Sequence, residues 1–168
     1  MATVNKVNER TPLVGPGEGS AIWYLNTRMT IKATGATTGG GFSLIEAVLP
    51  PGTSPPLHIH HTEDEPNWIV EGELTYQVGD QSFDAAAGSF VFLPRGIPHT
   101  FLVRGDSPAR VLIQLQPAGG EGYFIEIGRP ADTEGLPAPG PIDFAEIERV
   151  GAKYQIEIVG PPLSPEGR

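Results

Sequence analysis

The chain has 168 residues, 39% hydrophobic and 18% charged, enough to bury the core of one ordinary domain. It contains no cysteine, which excludes disulfides, iron–sulfur clusters and any thiolate ligand or nucleophile. A formal charge of −9 argues against nucleic acid and anionic membranes as partners. No apolar run reaches the roughly 18 residues of a membrane span, and residues 1–15 lack a signal-peptide core. A soluble, cytoplasmic protein is expected.

Residues 1–19 are polar and turn-rich, and read as an N-terminal arm. Residues 21–34 and 40–49 have the β-branched and aromatic content of strands, divided by a flexible stretch around Gly39-Gly40-Gly41. From 57 to 116, short apolar runs recur every eight to twelve residues. Turn signals at Gly72, Gly79 and Gly88 separate them. With 22 glycines and 18 prolines and no convincing long helix, this pattern predicts an antiparallel sandwich or barrel. A barrel over residues 20–128 is expected, with 129–168 as an appendage. Residues 121–128 are compatible with either helix or strand. Residues 129–141 form a proline-rich crossing, and Asp143 is a good N-cap for a helix carrying Phe144, Ile147 and Val150. Residues 154–159 look extended.

All four histidines fall in two short segments. His58 and His60 stand two apart, so a strand would point both to one face while Ile59 points away. Glu65 follows after a short turn, and His99 arrives behind the rigid Pro94-Arg95-Gly96-Ile97-Pro98 segment. Three imidazoles and a carboxylate suit zinc, iron, copper, nickel, cobalt or manganese, and four ligands on an octahedral ion leave two positions open. Asp64 is a rival to Glu65, while His61 points away from its neighbours in a regular strand and suits the surface or an outer shell. Trp23 and Trp68 either pack internally or meet a partner subunit.

The first segment resembles the first cupin motif, matched by Gly52, His58, His60, Glu65 and Gly72. The second resembles the second cupin motif, matched by Gly88, Pro94, Gly96 and His99. The fifteen residues between Gly72 and Gly88 lie in the family's short-spacer range. The family's usual asparagine is replaced by Val103, which affects a backbone hydrogen bond rather than the ligands. The resemblance implies an all-β, cupin-type antiparallel β-barrel (a double-stranded β-helix or jelly roll) with a short C-terminal helix, one divalent transition metal and a homodimer.

Among cupins the chain is most similar to single-domain bacterial proteins described as quercetin 2,3-dioxygenases. That resemblance implies a small aromatic substrate and O2, with His58, His60, Glu65 and His99 as metal ligands. Glu65 would also accept the proton of an enolic hydroxyl, after which the heterocycle opens with loss of CO. Strand alternation places Ile69, Tyr76, Phe90, Phe92 and Phe101 as pocket walls for a flat ligand. Pro66 and Asn67 stand where many relatives have aromatic residues, which would alter the substrate if these positions line the pocket. Fold alone leaves a non-oxidative enzyme (a polyketide cyclase, isomerase or lyase) and a small-molecule-binding protein as alternatives.

Overall fold

Alternation of side chains builds the walls of this molecule. In a computed structural model, which describes residues 13–165, strand β3 (Ser43–Leu49) buries every second residue. The strand β10 (Ala109–Leu115) follows the same rule beside it, pairing antiparallel from Ala109↔Leu49 to Leu115↔Ser43. The buried set of both strands, including Ile45, Leu49, Val111 and Leu115, faces one core. The first twelve residues of the expected N-terminal arm lie outside the described range.

The other strands, in chain order, are β1 (Ser20–Tyr24), β2 (Thr27–Ala33), β4 (Leu57–His60), β5 (Glu65–Glu71), β6 (Glu73–Val78), β7 (Gln81–Ala86), β8 (Phe90–Leu93), β9 (His99–Val103), β11 (Arg129–Pro130) and β12 (Ile156–Gly160). Helices are α1 (Gly35–Thr38), α2 (Glu121–Ile127) and α3 (Phe144–Lys153). Two sheets result, in the orders β11-β1-β2-β3-β10-β5-β8 and β12-β4-β9-β6-β7. Every strand pairing is antiparallel, so the fold is the expected all-β barrel with a short C-terminal helix.

The expected turn glycines sit where the backbone needs them. Gly72 has φ 89°, and a Cβ there would fall 2.9 Å from Ala109. Gly96 has φ 78° and donates its N–H to the His60 carbonyl at 2.8 Å, joining the two histidine segments. Val103 is buried, and its main chain bonds Gly52 N (3.1 Å) and Thr53 O (2.9 Å). The local link therefore needs no asparagine side chain.

Residues 21–34 are strand-forming as expected, but as the two strands of a hairpin turned at Leu25 with φ 53°. The turn carries neither glycine nor proline, so composition concealed it. The stretch 34–41 contains the short helix α1, closed by a hydrogen bond from Thr34 N to Thr37 Oγ1 (3.0 Å). Residues 121–127 are helical: the Glu121 carboxylate accepts from Gly119 N and Gly35 N at 2.6 and 2.8 Å, anchoring the first turn.

Helix α3 buries Ile147 and Val150, and Asp143 caps it by accepting from Glu146 N at 3.1 Å. Strand β12 then returns to pair with β4. No helix among the described residues is long and apolar enough to cross a membrane. Asp143→Ala should cost about 1 kcal/mol of stability by losing that cap. A urea unfolding midpoint unchanged from wild type would contradict the assigned cap.

Candidate metal centre

Both sheets contribute to one cluster. His58 and His60 lie on β4 and His99 on β9, with His58 and His99 directly paired across the strands. Glu65, the first residue of β5, enters from the other sheet. One donor atom from each of the four side chains lies within 4.8 Å of the rest. His60, Glu65 and His99 are buried, and His58 is half-buried.

The backbone fixes how the imidazoles present themselves. His58 Nδ1 donates to the Pro56 carbonyl at 2.7 Å, and His99 Nδ1 to the Ile97 carbonyl at 3.1 Å. Each proton is thereby held at Nδ1, which leaves the Nε2 lone pair for the cluster. His99 Nε2 is buried without a hydrogen-bond partner. Buried polar atoms are rarely left unmatched, so an unpaired acceptor among three imidazoles and a carboxylate fits a cation. His60 Nε2 lies 3.2 Å from Glu65 Oε2.

The electrostatics keep the donors in ligand form. Burial, then the neighbouring His99 and His60, lower the His58 pKa from 6.5 to about 3. Burial alone would raise the Glu65 pKa, but the surrounding imidazoles, His99 and His60 before His58, outweigh it and lower the carboxyl to about 2. Both groups thus keep free lone pairs at neutral pH.

Sequence reasoning named the residues behind these four without their supporting role. Asn67 is 1% exposed, and with its amide oxygen turned toward Tyr76 it donates to Glu65 Oε1 and accepts from the Tyr76 hydroxyl, each at 3.3 Å. Burial pushes the Tyr76 hydroxyl pKa up, so this donor keeps its proton. Asn67 therefore backs the carboxylate rather than lining the pocket, and Pro66 and Trp68 point away from it. Glu63 is buried, with Oε2 3.6 Å from His60 Nδ1, near the ring but beyond hydrogen-bond distance. Its position after the His-x-His pair was visible in the sequence, but its inward direction depends on the turn.

Asp64 is not in the cluster. Its Oδ1 accepts from Arg95 N and Nε at 2.9 and 3.2 Å, and Oδ2 accepts from Arg95 Nη2 at 3.0 Å. These bonds tie the turn before β5 to the Pro94–Arg95 loop. His61 is on the surface, 2.7 Å from Glu157. Trp23 packs internally, donating to Gly135 O at 3.0 Å beneath the Arg129 guanidinium.

The cluster forms one wall of a cavity of about 600 Å³. Of the expected wall residues, Phe101 lines it. Ile69 and Tyr76 share the inward face but lie deeper, fully buried in the core. Phe90 and Phe92 are 58% and 50% exposed on the outer face of β8, because Val91 and Leu93 take the inward positions. With apolar residues on both faces, alternation could not tell which set turned inward. The remaining walls include Met29, Leu49, Ile113 and Phe124, and residues 136–158 close over it through Leu136, Ile142, Ile147 and Ile156.

The unfolded chain takes up a proton at His58 near pH 6.5, whereas the folded one refuses it until about 3, so His58 favours the fold less as pH falls across this window. In the metal-free protein, the His58 ring resonances should stay in the neutral form from pH 8 down to 5. A midpoint near 6.5 in an NMR titration would contradict the buried site.

Comparison with known proteins places the chain. The cupin domain model matches residues 45–114. The chain is 32% identical over 111 residues to the tetracenomycin polyketide synthase protein TcmJ of Streptomyces glaucescens, covering 66% of this chain and 70% of that protein. It is 24% identical over 133 residues to quercetin 2,3-dioxygenase of Bacillus subtilis, covering 79% of this chain but only 39% of that protein. The structure of an RmlC-like cupin from Shewanella frigidimarina superposes with a TM-score of 0.56 at 16% identity, covering 67% of this chain and 96% of that one. Two histidine segments on facing strands, the barrel that holds them and these likenesses agree: the chain belongs to the cupin superfamily.

Proposed function

We propose that this protein is a metal-dependent dioxygenase that opens the heterocycle of a flavonol or a related enolic aromatic compound, releasing CO. His58, His60, Glu65 and His99 hold one divalent transition metal in this reading. The observation that carries it is the cavity: about 600 Å³, walled by aliphatic and aromatic side chains, with the donor cluster as its charged feature. Among the described residues no lysine or arginine lines it, which disfavours phosphates and small dicarboxylates as substrates. A flat, neutral polycyclic compound fits such walls, with its polar edge turned to the cluster.

The chain's own groups have distinct tasks. His58 and His99, oriented by the Pro56 and Ile97 carbonyls, turn Nε2 to the cluster without a rotational search. Glu65 stays ionised and accepts the proton of the substrate hydroxyl. Because its carboxyl is held at about 2, it is a weak base, and the hydroxyl must be acidified for the transfer to succeed. A bound cation supplies that acidification and the redox or Lewis-acid chemistry of the site. Asn67, bonded to Glu65, keeps the carboxylate aimed. The apolar walls exclude water from the reacting edge. O2 and substrate together provide every electron the cleavage needs, so no external reductant is required.

A second reading, a polyketide-processing enzyme that uses no oxygen, is favoured by the similarity to TcmJ over most of that protein's length. It needs the same cavity and cluster. Oxygen consumption separates the two. The surrounding reading includes a cytoplasmic location and a homodimer, the latter with the exposed Trp68, Phe90 and Phe92 face of the larger sheet as its contact.

Protein loaded separately with nickel, cobalt, manganese, iron, copper and zinc should consume O2 with quercetin for at least one metal and release CO. Absence of uptake with every metal would overturn the dioxygenase reading in favour of the oxygen-independent one. Glu65→Gln should keep part of its metal and lose about 10²–10⁴ in rate, whereas Asp64→Asn should retain both. A normal rate in Glu65→Gln would remove Glu65 from the role of base. His99→Ala should lose most of its bound metal, and full metal content measured by atomic emission would contradict its assignment as a ligand.

A further inference from the structure

A second polar feature faces the same cavity from outside the matched cupin segment. Tyr24, at the end of β1, and Tyr123, in α2, both line the cavity. They are 9% and 5% exposed, and their hydroxyl oxygens lie 2.9 Å apart. Their rings are fixed by one another and by Phe124, which meets Tyr24 edge-on at 5.0 Å and Tyr123 at 5.1 Å. The hydroxyls therefore cannot swing to other partners. Neither belongs to the strands that carry the four metal-type donors, and β1 is four strands away from β5 in the sheet order.

Proton counting shows what the pair lacks. Burial raises both phenol pKa values, so two protons are present at neutral pH. Each hydroxyl is one donor and up to two acceptors. The bond between them uses one proton, and among the described residues no protein acceptor takes the other. A buried donor left unmatched is unfavourable, and this one adjoins an open cavity.

We propose that the Tyr24–Tyr123 hydroxyl pair is a ligand-recognition site that donates a hydrogen bond to a neutral carbonyl or hydroxyl oxygen of a polycyclic aromatic ligand. A neutral oxygen is the matching group because, among the described residues, no lysine or arginine lines the cavity to balance a charged one. A polycyclic frame matches because Phe124 packs against both tyrosines and Met29 and Ile113 add apolar wall to the same cavity. The ligand is then held at two places: one polar edge at the histidine cluster and a second oxygen at the tyrosines. Only ligands with oxygens at both places gain both contacts, which makes the pair a selector among aromatic compounds.

The test is equilibrium dialysis of zinc-loaded protein with two probes of nearly the same shape, 2-acetylnaphthalene and 2-ethylnaphthalene. Neither has an enol and neither consumes O2, so the outcome is independent of the dioxygenase reading. Wild type should prefer the ketone, and the double variant Tyr24→Phe/Tyr123→Phe should lose about 3–10-fold of that preference. Its affinity for the hydrocarbon should not change. The double variant is decisive because either single change leaves one hydroxyl still able to donate. An unchanged preference, or equal loss of affinity for both probes, would overturn the proposal. So would failure of the wild type to bind either probe.

Discussion

The structure depends on holding three imidazoles and one carboxylate against each other inside an apolar barrel. Such polar groups are costly to bury unless each has a partner. The cost is met by local main-chain geometry: the carbonyls of Pro56 and Ile97 take the Nδ1 protons of His58 and His99. Both acceptors lie two residues before their histidines, in proline-containing segments whose shape is stiff. Glu65 is supported by Asn67, which in turn accepts from Tyr76. The outcome is that the His58 and His99 rings are aimed, and that His58 and Glu65 are unprotonated, before any ligand arrives.

The barrel and the cover divide the work. Strands β4, β5 and β9 supply the donors, and their register makes the cluster common to both sheets. The cover, residues 136–158, comes from beyond the cupin-domain match and turns an open barrel mouth into an apolar chamber. The strand β12 fastens it by pairing with β4, so closing the chamber and positioning His58 and His60 involve the same strand. A change in the cover would therefore alter both ligand fit and the setting of the histidines.

Much of this was legible in the sequence because it depends on spacing. The His-x-His pair, the carboxylate after it and the later histidine behind a proline loop specify which side chains share a face. Turn glycines such as Gly72 and Gly88 were equally visible, since positive φ demands them. What was not legible depends on direction at positions where composition is ambiguous. Phe90 and Phe92 alternate with Val91 and Leu93, all apolar, and only the packed barrel decides which pair turns inward. Ile69 has the right face but the wrong depth, which alternation does not encode. Tyr24, Tyr123 and the covering residues come from segments far apart in the chain, where no short pattern could bring them together. Asp64 and Glu65 are adjacent carboxylates, and the three hydrogen bonds from Arg95 to Asp64 separate their roles.

The most direct measurement is X-ray absorption on protein loaded with one equivalent of cobalt. The four-donor arrangement predicts one bound ion per chain, with three imidazoles and one carboxylate oxygen at roughly 2.0–2.2 Å. It also predicts that His99→Ala binds little cobalt and that any ion it keeps has one imidazole fewer. A shell with fewer than three imidazoles in the wild type, or one unaffected by that substitution, would contradict the convergence of His58, His60, Glu65 and His99 on a single metal.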